Sequence, residues 1–321
     1  MTAYSIAPGS RAACDAGTAA QRFLVTGGSG FIGRALVSRL VMGGHAVTVL
    51  SRQPAGAARR LPAGARLTAS LQALPADAVF DVVINLAGAP ILGPRWTAGR
   101  KRVLEDSRIG LTQQLVAWLA TRQQRPRLMV SASAIGYYGA AAPGRLDEAS
   151  APGSDYAARL CQQWEVAAHA ACALGVDTVC VRLGIVLGHG GALPAMRRAL
   201  QVGLGAVIGN GTQMQSWVHI ADVLGALEWI ACRHGGRGGE ASVYNLTAPS
   251  ACSQAEFVRT AACVLRRPVL LRLPAALFHL ALGEQSALLL GSTEVIPTLL
   301  LQDGYQFRFC ELRNALTSLW Q

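Results

Sequence analysis

The feature that most constrains this chain lies near its start. R-F-L-V-T (22–26) has the length and apolarity of a buried strand, and F-I-G-R-A-L-V-S-R-L-V-M-G-G (31–44) has helical apolar spacing and ends on glycines. Between them, T-G-G-S-G-F-I-G (26–33) sets Gly27, Gly30 and Gly33 in a G-x-x-G-x-x-G spacing. A glycine triplet alone is weak evidence, but one at a strand-to-helix junction is specific. Gly27 permits the tight turn, Gly30 lets a pyrophosphate approach backbone N–H groups, and Gly33 lets helix and strand pack closely. The helix start, Phe31 and Ile32 included, offers phosphates positive partial charge. The junction reads as a dinucleotide site.

Which dinucleotide follows from the end of the next strand. An NAD site usually presents Asp or Glu about 20 residues on, to bind the ribose 2′-hydroxyl. Here V-L-S-R closes the strand, and Arg52 holds that place with Arg34 in the first turn of the helix. Two guanidiniums with no acid beside them suit a 2′-phosphate. NADP(H) is the expected cofactor.

The alternation continues through A-V-T-V-L-S-R (46–52), V-F-D-V-V-I-N-L-A (79–87), R-L-M-V-S-A-S (127–133) and D-T-V-C-V-R-L (177–183), with a helix expected over about 155–174. Apolar strands separated by amphipathic stretches predict an α/β fold, a Rossmann-type doubly wound parallel sheet covered on both faces. After Gly184 the texture turns to glycine-rich loops, with a strand near 243–247 and helices near 252–265, 274–282 and 309–319. That predicts a smaller C-terminal substrate lobe built around the sheet. The expected division is a disordered tail over 1–20, a coenzyme-binding domain over 21–184 to which 217–247 returns, and a lobe from 185–216 and 248–321.

A formal charge of +11 invites a nucleic-acid reading. The cations, however, comprise one lysine, Lys101, and arginines scattered in ones and twos without interleaved aromatics, so no nucleic-acid partner is expected. The most apolar stretch, 273–291, is broken by Pro274, His279, Gly283 and Glu284, short of the roughly 20 apolar residues of a membrane span. The eight cysteines form no C-x-x-C pair and have no histidines at ligand spacing, which predicts no metal site and a reducing compartment. Without a signal-peptide layout at the start, a cytoplasmic protein acting on a small molecule is expected. Its oligomeric state stays open, with a homodimer as one candidate.

Further blocks carry a resemblance. They are N-L-A-G-A-P-I (85–91), R-W-T-A-G-R-K-R-V-L-E-D-S-R (95–108), S-A-S-A-I-G-Y-Y-G (131–139), L-C-Q-Q-W-E (160–165), V-R-L-G-I-V-L-G (181–188), S-W-V-H-I-A-D-V (216–223) and V-Y-N-L-T-A-P (243–249), with a tail over 288–307. From about Phe23 onward the chain resembles an extended short-chain dehydrogenase/reductase of the "epimerase family protein" branch, with the small C-terminal domain of that branch. The resemblance implies that Asn85, Leu86, Ala87 and Gly88 line the ribose and pyrophosphate of the cofactor. It implies too that Ser131 and Ser133 face the nicotinamide, and that Leu183, Gly184 and Ile185 (with Val186) close over its carboxamide. Where relatives have Asp-Leu or Asp-Ile after the third strand, this chain has Ser70-Leu71.

In such enzymes a Ser polarises the substrate oxygen, a Tyr exchanges the proton, and a Lys four residues on lowers the Tyr pKa. Ser133 and Tyr156 are the catalytic candidates, but Leu160 stands where the lysine belongs. A phenol with an ordinary pKa near 10 gives very little phenolate at neutral pH. Three readings of Tyr156 follow: a neutral proton donor in a reduction, a partner of Arg159 at i+3, or a packed aromatic sharing a helix face with Leu160 and Trp164. Lys101 and Glu105 are expected to form a solvated i, i+4 pair. Asp222 is read as structural, at a helix start, and His219 as a lesser candidate for substrate contact. The expected activity is NADP(H)-dependent reduction of a small carbonyl compound, with Ser133 polarising and Tyr156 or water giving the proton. A catalytically silent NADP(H)-responsive regulator and a nucleotide-sugar epimerase are the alternatives.

Overall fold

In a computed structural model, which describes residues 19–142 and 144–321, seven strands form one parallel sheet. They are β1 (Arg22–Thr26), β2 (Ala46–Leu50), β3 (Ala65–Thr68), β4 (Val82–Asn85), β5 (Leu128–Ala134), β6 (Asp177–Leu183) and β7 (Ala241–Leu246). Their spatial order is β7-β6-β5-β4-β1-β2-β3, with every neighbour parallel. The order reverses between β1 and β4, so the carboxyl ends of those strands open a crevice. The sequence-expected tail, 1–20, lies outside the described residues apart from its last two.

The two-residue period of a strand explains why these runs are apolar throughout. Phe23 and Val25 of β1 enter one core while Leu24 enters the other. Val82 and Ile84 oppose Val83 in β4, and Leu128 and Val130 oppose Met129 in β5. The first core is closed by α1 (Phe31–Met42), through Leu36, Val37 and Leu40. The second is closed by the helix Leu111–Ala120, through Leu115, Trp118 and Leu119. Each such side chain fully removed from water contributes about 1.5–3 kcal/mol.

Several boundaries moved for local reasons. The strand expected over 79–87 is only Val82–Asn85: Asp81 accepts the Arg22 N–H at 2.7 Å and pairs with its guanidinium, so the chain before Val82 is held by a side chain. The helix expected over 155–174 is an α-helix, Tyr156–His169, then a 3-10 turn that ends at Gly175 with φ 77°. Between β4 and β5 the chain forms α2 (Ala98–Glu105), a single π turn (Asp106–Gly110) and α3 (Leu111–Ala120). We number Tyr156–His169 as α4 and Ile220–Arg233 as α5.

The C-terminal lobe is tied back to this frame. Asp222, buried in the first turn of α5, accepts the Arg308 and Phe309 amides at 2.6 and 3.0 Å. His219 caps the same helix, its Nδ1 accepting the Ala221 N–H at 3.0 Å, and its ring stacks on Phe309. Both residues therefore dock the lobe, and His219 spends its ring on packing and capping. Among the described residues no helix is long and apolar enough to cross a membrane.

Candidate active site

The glycine turn is built by exclusion of side chains. Gly27 has φ 68°, and a Cβ there would stand 2.5 Å from the Leu86 carbonyl oxygen. A Cβ on Gly33 would stand 2.2 Å from the Gly27 carbonyl oxygen. Gly30 donates its N–H to that same oxygen at 2.9 Å and precedes α1 as its cap. Gly28, which the spacing argument passed over, is just as constrained: a Cβ would meet Val49 Cγ1 at 2.6 Å. α1 has no side-chain cap and no acid in its first turn, so its leading amides face the crevice without an internal anion. A bare backbone cradle of this kind fits a pyrophosphate.

Arg34 and Arg52 are both exposed, and neither forms an ion pair among the described residues. Thr26 and Leu50 are partners in the β1–β2 ladder, so Arg52, two residues past Leu50, stands at the same sheet end as the turn. Ile32 packs partly buried against the core, and the Phe31 ring lies beneath a loop of Gly188, Gly190 and Gly191. A Cβ on Gly190 would come within 2.4 Å of that ring. This second glycine loop was visible in the sequence as G-H-G-G, but only the fold shows that it roofs α1.

At the end of β4 the residues divide. Asn85 is fully buried: its Oδ1 accepts from Thr26 Oγ1 at 2.6 Å, and its Nδ2 donates to Thr112 and Ser131 at 2.9 and 3.1 Å. Asn85 and Ser131 thus lock β1, β4 and β5 together with their side chains, whereas the backbone of Leu86 and Ala87 lies against Gly27, where a Cβ would meet it at 2.5–2.7 Å. Thr112 also accepts from Trp164 Nε1 at 3.1 Å and donates to the Arg108 carbonyl at 2.6 Å. Arg108, in the π turn, lays its guanidinium over Gly88, where a Cβ would meet its Cζ at 3.1 Å. Its Nη2 donates to the Ala89 carbonyl at 3.0 Å, and it stands 5.3 Å from the Trp164 ring centroid. A π turn inside a helix often marks a functional site. No sequence pattern signals one.

The reacting corner is arranged differently from its sequence reading. Ser133 Oγ donates to Glu165 Oε1 at 2.6 Å, and Glu165 is held by Arg182 through two bonds of 2.8 Å, all three residues buried. Arg182 also donates to the Tyr138 hydroxyl and lies 3.3 Å from the Tyr137 ring centroid. Burial pushes the Tyr138 phenol up to about 12. The α4 face that meets the end of β5 carries Ala157 and Cys161, which a Cβ on Gly136 would touch at 3.6 and 3.7 Å, and then Glu165 one turn further. Cys161 lies beside Ser133; burial, aided by the Glu165 charge, raises its thiol to about 12, so it is uncharged at neutral pH.

Tyr156 belongs to the neighbouring stripe. It packs with Leu104 and Leu160, edge-on to Trp96 at 4.9 Å, and its hydroxyl donates to the Lys101 carbonyl at 3.2 Å. Burial and the nearby Glu105 carboxylate hold that phenol well above its usual range. The one lysine of the chain reaches Tyr156 from α2 rather than from position 160, onto the ring face, 4.4 Å from its centroid. Lys101 pairs with Glu284 at 2.6 Å, not in the solvated pair with Glu105 that the i, i+4 spacing implied. The buried Glu165–Arg182 pair went unread because a helix acid and a strand arginine 17 residues apart carry no local signal.

On the far side, Gly184 lets the chain pass against Ser216, whose carbonyl a Cβ would meet at 2.7 Å. Ile185 donates its N–H to that carbonyl at 2.9 Å and starts a second, short ladder with Trp217–His219. Leu183 is half-buried and Ile185 exposed beside it.

A model of the NAD dependent epimerase/dehydratase family matches residues 23–247, and a domain of unknown function (DUF1731) matches residues 273–319. The chain is 34% identical over 304 residues to the Epimerase family protein SDR39U1 homolog, chloroplastic, of Arabidopsis thaliana, covering 92% of this chain and 86% of that protein. Among solved structures, human epimerase family protein SDR39U1 (isoform 2) with NADPH is similar at TM-score 0.81 and 35% identity, over 93% of this chain and 98% of that one. MoeE5 in complex with UDP-glucose and NAD is similar at TM-score 0.72 and 25% identity, over 93% and 97%.

Proposed function

The chain belongs to the NAD dependent epimerase/dehydratase family, and on that premise we propose that it is an NADP(H)-dependent oxidoreductase reducing a small carbonyl compound. The observation that carries the reading is the start of α1: glycine backbone, no acid and no cap, with the exposed Arg34 and Arg52, to which we assign the 2′-phosphate. A human relative solved with NADPH supports the phosphorylated coenzyme. Bound there, a reduced nicotinamide coenzyme supplies a hydride.

The residues of this chain bind, orient and handle the proton. The amides after Gly30 receive the pyrophosphate, while Arg34 and Arg52 receive the 2′-phosphate. Leu86 to Gly88 and Leu183 to Ile185 border the remaining length of the coenzyme. The one hydroxyl proton of Ser133 is hydrogen-bonded to Glu165, so toward a further group Ser133 acts as an acceptor. In this reading a water hydrogen-bonded to Ser133 gives its other proton to the reduced oxygen, and the hydroxide left behind is reprotonated by exchange with solvent. Tyr156 keeps its proton on the Lys101 carbonyl and shapes the wall. The likeness to MoeE5 favours a second reading, sugar-nucleotide epimerisation; that reaction begins with an oxidation, the direction most dependent on a phenolate, and the Tyr156 phenol is held high.

Purified protein mixed with NADPH and a panel of small carbonyl compounds is expected to consume the coenzyme. Interconversion of UDP-sugars without net coenzyme change would move the reading to epimerase, and coenzyme binding without any turnover would move it to a regulator. Arg52→Glu is expected to weaken NADPH binding by about tenfold to a hundredfold, the scale of a lost charge-assisted contact, with NADH affected little. Unchanged coenzyme preference in that variant rejects the 2′-phosphate assignment.

A further inference from the structure

The geometry points to Arg108 as the residue that makes the coenzyme site select the reduced over the oxidised form, an inference that rests on the coenzyme reading above. Arg182, Lys101 and Arg108 are the cations set against the Tyr138, Tyr156 and Trp164 rings around the reacting corner. Arg182 is neutralised by Glu165, and Lys101 by Glu284. Arg108 has no carboxylate within ion-pair distance among the described residues.

Its position is fixed nonetheless. The Ala89 carbonyl accepts from its Nη2 at 3.0 Å, the Trp164 indole lies against it, and Thr112 clamps its own carbonyl at 2.6 Å. The guanidinium is partly buried, with Cys161 and Tyr156 on the α4 side and Arg100 as a further cation nearby. Along the crevice it lies between two landmarks. On one side Gly27 touches Leu86, two residues before Gly88; on the other Cys161 touches the Ser133 corner. Arg108 therefore stands where the phosphate cradle gives way to the reacting end.

A partly buried charge without a partner is costly to keep, and a ligand that meets it recovers some of that cost. The phosphates are the same in both redox states of the coenzyme and discriminate nothing. The ring differs: it is neutral when reduced and carries one positive charge when oxidised. A fixed cation at that end leaves the reduced form undisturbed and repels the oxidised one. The oxidised coenzyme then leaves readily after giving up its hydride, which suits a reductase. An epimerase needs the opposite, because the oxidised form must stay bound between its two half-reactions.

The test is calorimetric titration of the intact protein with NADPH and with NADP⁺, for the natural chain and for Arg108→Gln, Arg108→Met and Arg108→Lys. Gln is uncharged yet polar, with an N–H donor, so it guards against a folding defect in Met. The natural chain is expected to prefer NADPH by about tenfold, the scale of one partly screened unit charge. That preference is expected to fall toward unity in Gln and Met and to survive in Lys. An unchanged ratio in a folded Arg108→Gln overturns the inference, including the case in which both affinities fall together and Arg108 is only a phosphate contact or a brace. Failure of the natural chain to bind either form would sink the coenzyme reading itself, before any variant is compared.

Discussion

The turn between β1 and α1 and the corner between β5 and α4 were both approached through a short motif, and they behave differently. At the turn the proposed function rests on the backbone. Glycine is required because a Cβ would collide with a carbonyl oxygen 2.2 or 2.5 Å away, and that requirement is written at each position separately. At the corner the function belongs to side chains, and which ones meet depends on the rotation of a helix. One residue along α4 turns a side chain by about 100°. Tyr156 and Leu160 face Trp96 and Leu104, while their successors Ala157 and Cys161 face the end of β5. A spacing motif tolerates such a slip; a contact does not.

The largest effect that would sharpen this contrast is expected at Glu165. Glu165→Ala leaves the Arg182 guanidinium buried without its partner and frees the Ser133 hydroxyl. Breaking a buried pair from one side costs about 3–5 kcal/mol. Denaturant unfolding should show that loss, whereas the neighbouring stripe should tolerate substitution far better. A loss below about 1 kcal/mol would mean that Glu165 and Arg182 are not the anchor of the corner.

What was legible follows the same division. The parallel sheet was legible from apolar runs and the two-residue period, and the coenzyme turn from glycines, each a local signal; the strand order and the short, half-exposed β3 were not read. The Asn85–Thr112–Ser131 knot, the π turn that carries Arg108 and the Ser133–Glu165–Arg182 chain join residues from different elements. Nothing in the spacing of Asn85 and Thr112 says that they touch, and the Asn85 side chain, expected to line the coenzyme, is spent on this knot. The turn side of the contrast can be broken at Gly33. Gly33→Ala sets a Cβ against the Gly27 carbonyl, an overpacking expected to cost about 1–3 kcal/mol and to abolish measurable NADPH binding while the fold persists. Retained binding would show that the cradle yields more easily than its contacts suggest.

A smaller effect comes from the junction where the lobe docks, because two groups there oppose each other. Burial, with the Arg308 charge, lowers His219 to about 4, so its stabilisation is present above its ordinary pKa of 6.5 and is lost as pH falls through about 4. Burial raises Asp222 to about 6, so its contribution is fullest below the ordinary 3.8 and is lost as pH rises through about 6. Each is worth about 3 kcal/mol, and over the shared window they nearly cancel. The natural chain should show little net pH dependence from this pair. His219→Asn, which retains a cap, should melt at higher temperature as pH falls across the window. Asp222→Asn should do the reverse. Parallel slopes in the two variants would show that the groups do not titrate as their burial implies.

The smallest effect is expected where the motif pointed first. Tyr156→Phe removes the hydroxyl's hydrogen bond to the Lys101 carbonyl and its contact with Glu105, and keeps the ring between Trp96, Leu104 and the Lys101 ammonium. Loss of such a bond costs about 1 kcal/mol in stability. Since that hydroxyl faces a carbonyl on α2, NADPH turnover should change by less than about twofold, a difference of under about 0.4 kcal/mol in barrier. A loss of a hundredfold or more, with the fold intact, would instead place the phenol among the reacting atoms. The side-chain contrast drawn between the two stripes of α4 would then have to be reversed, with the corner read through Tyr156 and the Glu165 pair as its support.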